Sequence, residues 1–226
     1  MTVERGGVVA TEGAETGTRN HYGQRIATKG ERTRQALIEA TVRLLAEHGV
    51  RDVSVAGVAR AARTSPATFY VYFRGVPEVV LAALETAQQT SPRLEALIER
   101  DWLGPGGRTA AREMVEEYTA VWGQNRTIFS VRNLAAEEGD HRFYRARLRT
   151  AQPLMDLLSS KVAEAQRIGR IPASLEPRAC AGTLLMMLER LAAIGPMGSG
   201  RDGSPGFEPL KDAAAHAVAS MLGACD

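Results

Sequence analysis

Residues 53–74, Val-Ser-Val-Ala-Gly-Val-Ala-Arg-Ala-Ala-Arg-Thr-Ser-Pro-Ala-Thr-Phe-Tyr-Val-Tyr-Phe-Arg, leave the backbone little choice but two short helices joined by a tight turn. Ser54 is placed to cap the first, its hydroxyl accepting a free N–H of the opening turn. Val53 and Val58 stand at the N′ and N4 positions of a hydrophobic staple. Val55, Val58, Ala59 and Ala62 recur at i, i+3, i+4 and i+7, the apolar face of a helix. Ser65 is a second N-cap, and Pro66 suits the first helical position. Phe69 and Phe73, one turn apart, can anchor that helix inward, leaving the hydroxyls of Tyr70 and Tyr72 free. Helices this short are marginal alone. Two of them crossing over Ala59, Ala61 and Ala62 form a helix-turn-helix, whose second helix can enter a major groove. The same spacing also suits a plain helical corner.

Charge separates these alternatives. The whole chain carries a net charge of only +2, yet Arg19 to Arg74 holds ten Lys/Arg against four Asp/Glu, a local balance of +6 that leaves −4 for the rest. A basic front on a slightly acidic body is the footprint of a module that meets phosphate. Lys29, Arg32 and Arg34 crowd the first turns of the helix expected over 28–48, where the helix dipole disfavours cations. They make better sense if phosphates approach that end.

Other classes are disfavoured. An apolar content of 44% with 24% charged residues is ordinary for a soluble globular protein. No apolar run is long enough for a bilayer and no secretory leader is visible, so a cytoplasmic protein is expected. Cys180 and Cys225 lack metal spacing and read as reduced thiols, and the four histidines are scattered, so neither metal nor cofactor is expected. No nucleophile elbow or dinucleotide loop is present. Glu116, Glu117, Glu137 and Glu138 read as solvated faces, so no catalytic residues are assigned, and a helical enzyme is the rival class. Gly104-Pro105-Gly106-Gly107 lacks the Gly-Lys-Ser/Thr ending and the preceding strand of a phosphate loop.

Ser65-Pro-Ala-Thr-Phe-Tyr-Val-Tyr-Phe73 resembles the recognition helix of TetR-family transcriptional regulators. The family run Ser-x-x-Thr-x-Tyr-x-x-Phe is matched by Ser65, Thr68, Tyr70 and Phe73. The likeness covers about residues 28–85 closely and the remainder only in architecture. The doubled aromatics, with Met-Met-Leu-Glu-Arg at 186–190, are similar to mycobacterial members that repress an ethionamide-activating monooxygenase. The resemblance implies an all-α fold of about nine helices, with a three-helix DNA-binding head over 28–75 and a ligand-binding and dimerisation body over 76–226. Residues 1–27 read as a disordered arm that turns basic at Arg19, His21, Tyr22 and Arg25. It also implies a homodimeric repressor, paired through its last two helices. Such a protein would sit on a near-palindromic operator and be released by a lipophilic effector. A DNA-binding regulator without any ligand is the alternative.

The residues expected at DNA follow. Pro66, Ala67, Thr68, Val71 and Tyr72 would face bases. Tyr70 would bond a phosphate, and Lys29, Arg32, Arg51, Arg63 and Arg74, with the cap residues Ser54 and Ser65, would line the backbone. None of the base-facing residues is Arg, Asn or Gln, so phosphate contacts and DNA shape should carry much of the binding. Two positions depart from the family pattern. Arg63 replaces the usual turn glycine, and Gly75-Val76 replaces the Ser/Asn-Lys pair that opens the next helix.

In the body, helices are expected over 77–101 with a kink or break at Ser91-Pro92, from the glycine loop to 125, over 127–138, over 141–167 with a kink at Pro153, over 178–194 and over 208–223. Residues 178–194 are apolar all round and should be buried on several sides. Met114, Tyr118, Trp122, Phe129, Met155, Leu185 and Met186 are expected around a lipophilic ligand, with Trp102 at an entrance. The same set could simply fill the core. Glu189 is either a polar anchor for ligand or the partner of an arginine, Arg190 or one on the 141–167 helix.

Overall fold

The computed structural model describes residues 29–49, 52–87, 91–195 and 205–224. These form ten helices and no strand: α1 (Lys29–His48), α2 (Val55–Ala61), α3 (Pro66–Tyr72), α4 (Val76–Ala87), α5 (Pro92–Glu99), α6 (Gly107–Gln124), α7 (Arg126–Glu137), α8 (His141–Arg167), α9 (Pro177–Ile194) and α10 (Phe207–Met221). The basic arm, Arg51, the 196–204 loop and Cys225 lie outside the described residues.

The front of the chain folds as its caps and stripes dictate. Leu37, Ile38, Ala40 and Leu45 of α1 are buried against Val58, Ala59, Phe69 and Phe73. Gly49 closes α1 at φ +78, its N–H returning to the Leu45 carbonyl at 3.0 Å. The Ser54 and Ser65 hydroxyls accept from Gly57 N–H at 3.2 Å and Thr68 N–H at 3.1 Å. Phe69 and Phe73 stack 5.7 Å apart, with Arg34 over the Phe73 ring. Arg63 takes the left-handed conformation at φ +55. Its N–H bonds the Arg60 carbonyl and the Thr64 N–H bonds that of Ala59, the paired bonds of a Schellman ending with an arginine where glycine is usual.

The lost cap of α4 is replaced from within. The Glu78 carboxylate turns back to accept the Arg74 N–H at 2.6 Å, and the Gly75 carbonyl receives Glu78 N–H and Val79 N–H. The helix expected over 77–101 is two helices. Ser91 caps α5, accepting Leu94 N–H, while its own hydroxyl donates to Glu117 on α6 at 2.7 Å. Of the kink or break expected at Ser91-Pro92 the structure has the break, with Pro92, which lacks an N–H, at the first position of α5, and the described helices number ten. Pro153, by contrast, sits inside α8 without ending it.

The glycine loop is a packing device. A Cβ on Gly107 would lie 2.6 Å from the Trp102 carbonyl oxygen and 2.7 Å from Ala224 Cβ. Only glycine lets α6 begin this close to Trp102 and the chain end. Arg112 on α6 then ties α10 down through Glu208 at 2.6 Å and Asp212.

Two hydrophobic cores result. One joins α1–α4 to Trp122, Ile128, Phe129, Phe143 and Ala192. The other joins α5, α6, α8, α9 and α10 around Leu94, Met114, Leu158, Leu184 and Leu188. Tyr118 packs against both.

Candidate functional site

Two features carry chemistry: the surface of α2–α3 and a cavity at the seam between the two cores. On the first, Phe69 and Phe73 are buried, and this fixes what the rest of α3 shows. Tyr70 is 59% and Val71 76% exposed, and Pro66 and Ala67 are exposed beside them. Tyr72 is half-buried. So is Thr68, whose hydroxyl lies 3.0 Å from that of Ser65. Arg63 and Arg74 are exposed on either side of α3, and Lys29 and Arg32 are exposed at the start of α1. The surface is a shallow apolar and hydroxyl-bearing ridge between cations, narrow enough for a major groove.

The second feature is a cavity of about 350 Å³. Ala87 of α4, Ser91 before α5, and Leu94 of α5 form one wall. Tyr118 and Trp122 of α6, Phe129 and Arg132 of α7, Leu154 and Met155 of α8, and Leu185 and Glu189 of α9 form the others. Tyr144, Leu148 and Met186 rim it and are exposed, Met186 by 62%. Trp122 and Phe129 belong to the core that holds the head, whereas Leu94, Leu154 and Leu185 belong to the other.

Charge in the cavity is concentrated at one end. The Glu189 carboxylate accepts from Arg132 and from Asn133 at 3.1 Å on one oxygen, and from Arg147 on the other through Nη2 and through Nε at 3.0 Å. Arg132 is almost wholly buried, with its guanidinium 4.7 Å above the Phe129 ring. Desolvation pulls its pKa below the usual arginine value, an effect Glu189 opposes. Burial, and next the Glu189 charge, push the Tyr118 phenol well above the usual range, so it stays a neutral donor. Trp122, 3% exposed, has an Nε1 with no hydrogen-bond partner among the described residues.

Two family models match the chain. Residues 37–83 match the model for bacterial regulatory proteins of the tetR family, and residues 94–200 match a tetracyclin repressor-like C-terminal domain. The chain belongs to the TetR family. It is therefore a DNA-binding transcriptional regulator. The HTH-type transcriptional regulator AqdR of Rhodococcus erythropolis is 36% identical over 69 residues, a match spanning 30% of this chain and 33% of that relative. The fold is similar to the fatty acid degradation regulator FadR of Bacillus halodurans, with a TM-score of 0.60, 16% identity, and coverage of 86% of this chain and 97% of that one. It is also similar to FadR of Bacillus subtilis in complex with stearoyl-CoA, with a TM-score of 0.61, 16% identity, and coverage of 81% and 96%. Among the described residues no single helix is long and apolar enough to cross a membrane.

Within this TetR-type body, most of the expected cavity residues come together, with two exceptions. Trp102 lines no entrance: it is 2% exposed, and its indole N–H donates to the Ile98 carbonyl at 2.7 Å. Met114, one turn before Tyr118 on α6, is wholly buried in the core of α5, α6, α8, α9 and α10 and does not line the cavity. α9 is less enclosed than its composition suggests, since Met186 opens to the surface. Glu189 is paired, with Arg147 on α8 and also with Arg132. Sequence reasoning missed Arg132, Arg147, Tyr144 and Leu148. A signal existed for Arg132: it lies at i+3 from Phe129 and i+4 from Ile128, on the buried stripe of α7.

Proposed function

We propose that this protein is a homodimeric repressor that releases a near-palindromic operator when a lipophilic small molecule enters the cavity. The observation that carries this is the cavity's place at the seam between the head's core and the body's core. Ala87, at the far end of α4, touches the cavity, and the near end of α4 follows α3 across a bend of 57°. A ligand that spreads the seam moves α4 and with it the angle of the head. The ligand acts only if it binds the released conformation more tightly. The complex of the similar Bacillus subtilis FadR with stearoyl-CoA supports a lipophilic occupant.

At DNA, Tyr70, Arg63, Arg74, Lys29 and Arg32 contact phosphates, and Pro66, Ala67, Thr68, Val71 and Tyr72 approach bases. Dimerisation through α9 and α10 sets the two heads about one helical turn apart. The exposed Thr183 and Met186 of α9 and Ala213 and His216 of α10 supply the surface. Selection of duplexes from a random library tests this directly. A near-palindromic consensus is expected, with affinity falling steeply in salt and weakened by Tyr70→Phe at unchanged melting temperature. A consensus without two-fold symmetry, bound by monomer, would refute the dimer. Lipophilic compounds that bind the cavity but leave operator affinity unchanged would refute the switch.

A further inference from the structure

The charges lining the cavity do not balance. Arg132 and Arg147 face a single carboxylate, Glu189, and every other wall residue is neutral. Glu189 is saturated: one oxygen is taken by Arg132 and Asn133, the other twice by Arg147. It therefore has no lone pair well placed for a cationic ligand, and it leaves one positive charge, on the partly exposed Arg147, without a carboxylate of its own. A ligand that displaces water from Arg147 desolvates that charge, a cost that an anionic head offsets and a neutral or cationic head does not. Trp122 and Tyr118 also line the cavity, Trp122 with its Nε1 sealed away from the void and Tyr118 with a phenol that stays neutral. The wall thus carries two guanidinium groups and one carboxylate that both already occupy.

We infer that the cavity selects an amphipathic monoanion. Its carboxylate head is held at the Arg132–Arg147 end, chiefly by the more accessible Arg147, and its aliphatic tail lies along Leu94, Leu154, Met155 and Leu185 toward the rim at Leu148 and Met186. This deepens the proposed function, on which it rests, by fixing the chemical class of the effector. A hydrogen bond to a charged group outweighs a neutral one, so head charge should dominate the ranking of ligands that share a tail.

The probes are decanoate, its methyl ester, decanol and decylamine, added to the full-length protein. Only Trp102 and Trp122 are tryptophans, so a Trp102→Phe protein leaves Trp122 as the sole fluorescent reporter. Calorimetry on the unmodified protein gives the same affinities without substitution. Decanoate should bind at least about tenfold more tightly than the ester or alcohol, and decylamine should bind worst. Arg147→Gln, at a partly exposed position, should bring acid and ester within about threefold of each other. Equal affinity for acid and ester, or preference for the amine, overturns the assignment while leaving a lipophilic effector in place. Binding of none of the four overturns the cavity as an effector site altogether.

Discussion

Arg63 offers the sharpest test of how sequence and function compete in this head. Its φ of +55 lies in the left-handed region, at the C′ position of a Schellman ending. An L-residue there costs about 1–2 kcal/mol relative to right-handed backbone. Glycine removes that cost but adds about 0.4–1 kcal/mol of unfolded-chain entropy. Arg63→Gly should therefore stabilise the protein by about 0.5 kcal/mol, which for a chain of this size raises the melting temperature by about 1–2 °C. Arg63→Ala keeps the backbone cost and should leave stability near that of the parent. Both substitutions delete the same cation. If Arg63 contacts a phosphate in each head of the dimer, both should lower the slope of log affinity against log salt by about 1.8, about 0.9 per head. Calorimetric melting of the free proteins and a salt series of operator titrations measure the two effects separately. If the Ala and Gly variants melt together, the backbone cost is refuted. If the salt slopes of both match the parent, the phosphate contact is refuted.

Other substitutions probe the body. Glu189→Ala strands the buried Arg132 guanidinium and should cost about 3–5 kcal/mol, read by chemical denaturation; a loss under about 1 kcal/mol would mean the pair is solvated. Gly107→Ala drives a Cβ into the Trp102 carbonyl and Ala224, and a loss of about 1–3 kcal/mol is expected on thermal melting. Asp140 caps α8 and bonds Arg142, which holds its carboxyl at about 2, below the usual carboxylate value. Its folded pKa is depressed, so its contribution is present above the unfolded pKa near 4 and disappears as pH falls through about 2. Asp140→Asn should flatten the acid limb of a stability–pH curve in that window, by a small amount because the pair faces solvent.

The head was legible because its determinants are local. Ser54, Ser65, Pro66 and the Phe69–Phe73 pair each act within one turn, and each appears in the structure where the spacing puts it. In the body the Ser91-Pro92 interruption was visible too, for the same local reason, whereas the Ser91 bond to Glu117, 26 residues away, was not. The body was legible as helices but not as partners. Trp102 and Trp122 look alike in sequence; one bonds the Ile98 carbonyl and is plain core, while the other lines a cavity without an acceptor. What separates them is the Gly107 contact that folds α6 back over Trp102, a tertiary fact. Arg132 and Arg147 escaped notice because an arginine on an amphipathic helix ordinarily snorkels to water.

The proposed switch also sets a lower limit on the ligand. Converting a head that is nearly all competent to one nearly all released requires about 5.5 kcal/mol of differential binding. A charged head group on the Arg132–Arg147 end supplies about 1.5–3 kcal/mol, and only part of that differs between the two conformations. The remainder must come from apolar contact across the seam, where each buried methylene adds about 0.8 kcal/mol. At least four or so methylenes must therefore lie between Leu94 and Leu185 in the released state but not in the DNA-bound one. A short acid such as butyrate should occupy the charged end and leave the operator bound, whereas decanoate should occupy it and release. Operator titrations at saturating concentrations of each acid decide it. Equal release by both would place the trigger in the charge cluster and remove the seam from the mechanism.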